Sequence, residues 1–164
     1  RECCMYRLLI VVSLCAHVFS FQCLANEPGE LLSTYDAKIM EVYREAIELS
    51  DRINSLEYVE RSKPLDPELS DNAIASCFGA AERAQYLNVS LMTYMLVGDN
   101  SLLSAQIDQS LQFSELMLSR DIRKLDELVE TTKVVQLRDL GEQVISVLQK
   151  ERILVRDMKS ALFP

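Results

Sequence analysis

The sequence predicts an all-α protein, an antiparallel up-down-up-down four-helix bundle behind an N-terminal signal peptide. Three observations carry this expectation. Four segments repeat apolar residues at alternating steps of three and four, short breaks separate them, and their lengths match.

The leader comes first. Arg7 supplies a positive n-region, and Leu8 to Phe21 is apolar except at Ser13, His17 and Ser20. Cys23-Leu24-Ala25 then places small residues before a cut preceding Asn26. The apolar run is shorter than the roughly 20 residues that span a bilayer, although an uncleaved anchor is the competing reading. Met5, ahead of Tyr6-Arg7, is the expected start of translation. The chain therefore divides into a signal peptide, 1–25, and a bundle domain, 26–164, with a periplasmic or secreted destination.

Cleavage removes Cys3, Cys4, Cys15, Cys23 and His17, leaving Cys77 as the only thiol, with no His and no Trp. One cysteine makes no intrachain bridge, so the fold rests on its apolar core, and about 140 residues suffice for one. The formal charge is −8 before cleavage. Without a basic stripe, this acidity argues against nucleic acid and against anionic membrane surfaces. No later stretch reaches transmembrane length, so no membrane insertion is expected once the leader is gone.

The first helical segment, Glu30 to Arg61, repeats Tyr35, Ile39, Val42, Ala46, Leu49, Ile53 and Leu56, widened by Leu31, Met40, Tyr43 and Ile47. Ser62 to Pro67 breaks it, with Asp66 as the next N-cap and Pro67 in the first turn. The second segment runs to Val97 with Ile74, Cys77/Phe78, Ala81, Ala84/Gln85, Asn88, Leu91/Met92 and Met95 on one face. Gly98 is the expected C-cap, and Asp99 or Asn100 caps the third segment. That segment carries Leu103, Ile107, Leu111, Ser114, Leu118, Ile122, Leu125 and Val129. The fourth carries Leu137, Leu140, Val144, Val147, Glu151, Leu154, Met158 and Leu162. No Gly or Pro separates these two, but a single helix of about 60 residues would be about 90 Å long, far longer than its partners. The turn is placed at Thr131-Thr132, where Val129 to Val135 is rich in poor helix formers.

Few chemistries remain open. Without His there is no His-based triad, no His-ligated haem or metal, and no Glu-x-x-His pair for a di-iron bundle. No catalytic residue, metal site or cofactor is expected. Cys77 reads as a small buried hydrophobe, and the sequon Asn88-Val89-Ser90 falls mid-helix on the core side. The small-residue stretch Ala73, Ala75, Ser76, Cys77, Gly79, Ala80, Ala81, Ala84 either lets a helix approach closely or leaves room for a ligand. Folding the chain about its turns brings Asn88, Ser110, Ser114 and Glu151 to one level near Ile39 and Met40, as a register-fixing layer or a polar site. The same construction sets Arg83 level with Arg44 and Glu115, giving a surface ion pair or a pair of cations for an anion.

The stretch Asn72-Ala73-Ile74, Gly79, Arg83-Ala84-Gln85-Tyr86-Leu87 and Tyr94-Met95-Leu96-Val97-Gly98-Asp99 resembles the signature helix of nitrate/nitrite and type IV pilus chemotaxis sensor domains. The resemblance implies a periplasmic four-helix bundle in which the signature arginine, Arg83, meets a small anion at a dimer interface. The expected function is an exported, non-catalytic, sensor-type bundle. It binds a small molecule or anion through Arg83, Arg44, Asn88, Ser110 and Glu151, or serves as soluble partner of a receptor. The alternative is a protein-interaction module such as an inhibitor, adaptor or chaperone-like protein, with a protein partner or a homodimer and no small-molecule site.

Overall fold

The computed structural model describes residues 26–59, 66–97 and 100–163, and each regular element among them is a helix. In chain order these are α1 (Asn26–Val59), α2 (Pro67–Val97), α3 (Ser101–Thr131) and α4 (Val135–Leu162). The expected leader and its cleavage point lie outside the described residues, as do the breaks at 60–65 and 98–99. Contacts divide the chain after Ser33, and the bundle is the unit that begins at Thr34. Among the described residues no helix is long and apolar enough to cross a membrane.

Local chemistry sets the helix ends. Asp66 caps α2, its Oδ1 accepting from Leu69 N–H at 3.3 Å ahead of Pro67 in the first turn. Asn100 caps α3, its Oδ1 accepting from the amides of Leu102 (3.1 Å) and Leu103 (3.2 Å). The third helix stops at Thr131, where the sequence places the turn. Thr132 is buried and holds the turn, its Oγ1 accepting from Val134 N–H at 3.4 Å and its carbonyl from Arg138 Nη2 at 2.6 Å. Val134, the N-cap of α4, makes no side-chain capping bond.

Cross-helix bonds fix the directions. Glu45 meets Lys150 and Arg52 meets Gln143, so α1 runs antiparallel to α4. Asp36 on α1 accepts from Asn88 on α2. Arg83–Asp121 with Tyr86–Ser110 sets α2 against α3, and Glu115–Arg156 with Asp108–Lys159 sets α3 against α4. One diagonal pair, α2 and α4, runs parallel and touches directly, through Arg83–Glu151 and a 2.9 Å bond from Tyr94 Oη to the Leu162 carbonyl.

That diagonal contact needs small residues. Ala73, Cys77, Ala80 and Ala84 are buried along α2 in one stripe with Leu69, Leu87 and Leu91. On α4, Gly141 lies against Val129 of α3 and Leu69 of α2 and has no room for a side chain. A Cβ there would lie 2.6 Å from Val129 Cγ2 and 3.5 Å from Leu69 Cδ1. Burial pushes the Cys77 thiol up to about 12, so it stays protonated and packs as an apolar group.

The stripes of α1, α3 and α4 match the sequence pattern at their centres: Met40 is exposed and Tyr43, Ile47, Leu56 and Leu103 are half-buried, whereas every fourth-segment residue of the stripe is buried. On α2 the buried stripe is turned from the expected one. Phe78 is 50% exposed, Gln85 is exposed and Met92 is half-buried. Both sides of this helix carry apolar residues, and close approach to α4 selects the side bearing alanines.

Gly141→Ala should therefore destabilise the bundle by about 1–3 kcal/mol in a denaturant melt, and Val129→Ala in the same chain should recover part of the loss.

Candidate functional site

Arg83 leaves α2 and lies back toward the helix N-terminus, the direction in which helical side chains lean. Its Nη1 sits 3.1 Å from the point a Cβ on Gly79 would occupy, so the glycine one turn earlier leaves the guanidinium its path. The side chain ends between two carboxylates. Nε and Nη2 donate to Oε1 and Oε2 of Glu151, both at 3.1 Å, and Nη1 lies 3.7 Å from Asp121 Oδ2. Asp121 Oδ1 also accepts from Arg120 Nη2 at 3.3 Å. One connected set of charges thus links α4, α2 and α3.

Glu151 is fully buried in this cluster. Desolvation raises its pKa, the charge and hydrogen bonds of Arg83 pull it back, and Asp121 adds a further rise, leaving the carboxyl at about 7. A two-pronged arginine bond satisfies both oxygens, which a buried carboxylate requires. With no exposed surface, Glu151 meets no substrate.

Beside the cluster, α2 and α3 leave a cleft of about 520 Å³. Ala75 and Ser76 are the short side chains that make its room on α2, with Asn72 beside them; Arg120, Asp121 and Lys124 line it on α3. Asp121 thus belongs both to the cleft and to the charge cluster. Among the described residues, no group of His, Cys, Asp or Glu is arranged to hold a metal ion.

Of the residues singled out by sequence, Arg83 and Glu151 come together, while Asn88 and Ser110 bond elsewhere. Asn88 is half-buried and donates to Asp36 Oδ1 at 2.7 Å, on the α1 side. Ser110 accepts from Tyr86 Oη at 2.9 Å, between α2 and α3. Ser114 is buried in the α3 stripe. Among the bonds described, none joins Asn88, Ser110 or Ser114 to Glu151. Arg44 is exposed on α1 and joins none of these bonds. Nor does Arg83 pair with Glu115, which binds Arg156 instead. Equal height along the bundle compares backbone positions, but Arg83 leans back along the helix and its charge meets Asp121, past Glu115. That lean is the signal by which Asp121 was legible and was missed.

No protein-family model matches the chain, and neither a curated protein nor a solved structure is significantly similar to it.

Because Glu151 protonates more readily in the folded chain than at its ordinary value of 4.5, the folded state holds more protons between about pH 4.5 and 7. The stability that Glu151 contributes is present below this window and is lost as pH rises through it. Denaturant melts of wild type and Glu151→Gln across pH 4–8 should show the wild type losing stability relative to the variant as pH rises through that window. Arg83→Ala, which strands a buried carboxylate, should cost about 3–5 kcal/mol at pH 8 and clearly less at pH 5.

Proposed function

We propose that this chain is an exported, non-catalytic helical bundle, periplasmic or secreted, that binds a small oxyanion-bearing molecule in the cleft between α2 and α3. The observation that carries the reading is the charge balance of that cleft. Asp121 is shared by two guanidinium groups, and Lys124 beside them forms no ion pair among the described residues. A positive surplus therefore stands in a chain of formal charge −8. Ser76 supplies a hydroxyl, and Asn72, whose Nδ2 donates to the Glu68 carbonyl, keeps its amide oxygen for a donor on the ligand.

The anion site moves, in this reading, from Arg83 to Arg120 and Lys124. Arg83 spends its donors on Glu151 and faces Asp121, so it has little left for a ligand. It acts as the next link inward: an oxyanion that draws Arg120 off Asp121 leaves that carboxylate to Arg83, and occupancy is felt at Glu151 on α4. A sensor-type role follows from this chain of contacts. The interaction-module reading is favoured by a separate observation, the exposed apolar residues on the outer side of α3.

Inorganic phosphate and succinate, each titrated against sodium chloride at matched ionic strength, test the site through the melting midpoint. At least one should raise it saturably. Lys124→Ala and Arg120→Ala should each weaken the effect about tenfold, and Ala75→Leu, which fills the cleft from an exposed position, should abolish it. Arg44→Ala should leave it unchanged. No saturable rise with either anion, or a rise that survives Ala75→Leu, contradicts the proposal.

A further inference from the structure

We infer that the outer side of α3 is a self-pairing surface, on which a second copy of this chain docks its own α3 in antiparallel orientation. The third helix carries two stripes at heptad spacing. The inner one, Ile107, Leu111, Ser114, Leu118, Ile122 and Leu125, fills the bundle. The outer one, Leu102, Gln106, Gln109, Phe113 and Leu116, repeats the same steps of four and three. Its apolar members are among the most exposed large apolar side chains described: Leu102 is 67% exposed, Phe113 61% and Leu116 66%. Gln106 and Gln109 are exposed as well. A solvated helix face has no reason to hold apolar residues in this rhythm, whereas a second helix does.

Three features select a second copy as the occupant. The run Leu102, Gln106, Gln109, Phe113 reads alike in both directions, with steps of four, three and four. Antiparallel pairing therefore sets Leu102 against Phe113 of the other copy and Gln106 against its Gln109, apolar on apolar and amide on amide. Each contact occurs twice, as an isologous interface requires. The outer stripe also holds no charge from Leu102 to Leu116, while Asp108 and Glu115 are drawn aside to Lys159 and Arg156 of α4. Two chains of charge −8 meet there without bringing carboxylates together. Finally, the run paired in this register, Leu102 to Phe113, covers about 16 Å of helix, a small contact that makes the dimer reversible. The amide layer fixes the register at some cost in affinity, as a polar residue in a helical seam does. This inference does not depend on the ligand cleft.

Sedimentation equilibrium of the purified chain over about 1–500 μM tests it. A reversible monomer–dimer equilibrium is expected, weakened at least tenfold by Phe113→Glu or Leu102→Glu and unchanged by Ile153→Glu, an equally exposed position on α4. Replacing both Gln106 and Gln109 by Leu should tighten the dimer. For the register, a mixture of Gln106→Cys and Gln109→Cys chains should form the mixed disulfide faster than either chain links to itself. A chain that stays monomeric throughout, as it would if the stripe served a different protein, overturns the inference. So does a dimer indifferent to Phe113→Glu.

Discussion

The direct contact between α2 and α4 is the constraint from which most of this structure follows. In a square bundle these two helices stand at opposite corners. Here Ala73, Cys77, Ala80 and Ala84 line the buried side of α2 without bulk, and Gly141 lets α4 close on Val129 of α3 and Leu69 of α2. Close packing of this kind tolerates little added volume, because interiors are as dense as molecular crystals. Two consequences are immediate. Arg83 comes within reach of Glu151, and the larger apolar residues of α2, such as Phe78 and Leu96, turn outward.

The charge cluster makes the diagonal specific. An ion pair buried this deeply is a poor source of net stability, since both groups lose water, but breaking it is costly. Its worth lies in register: an offset of one residue between α2 and α4 would strand Glu151 in the core. Asp121 extends the same cluster to the surface of the bundle. A perturbation in the α2–α3 cleft therefore has a physical route to α4, made of hydrogen bonds and charges rather than of backbone motion. The carboxyl of Glu151, raised by desolvation, is the buried end of this route.

Much of the fold was legible in the residues. The 3–4 rhythm placed three of the four buried stripes, Asp66 and Asn100 cap as their side chains allow, and the Thr131-Thr132 turn was readable from matched helix lengths and a cluster of poor helix formers. The second helix was harder because two apolar stripes share it, and periodicity does not say which one faces inward. Its alanines held the answer, for only small side chains permit the approach of α4. The candidate site was legible in its members and not in its pairings. Glu151 stood out as a charge in an apolar stripe and Arg83 as a cation beside small residues, but their mutual bond joins the two helices that a square bundle keeps apart. Asp121, Arg120 and Lys124 look like ordinary surface charges until the short side chains of Ala75 and Ser76 are set opposite them.

The small residues of α2 serve two purposes in this account, packing on one side and a cleft on the other, and paired leucine substitutions separate them. Ala80 is fully buried toward the diagonal, while Ala75, five residues earlier, is exposed in the cleft. Equilibrium denaturation of the two variants without ligand is the most direct measurement. Ala80→Leu should lose about 1–3 kcal/mol or more through overpacking, and Ala75→Leu should stay within about 0.5 kcal/mol of the wild type. Equal tolerance at the two positions would contradict a diagonal closed by small side chains.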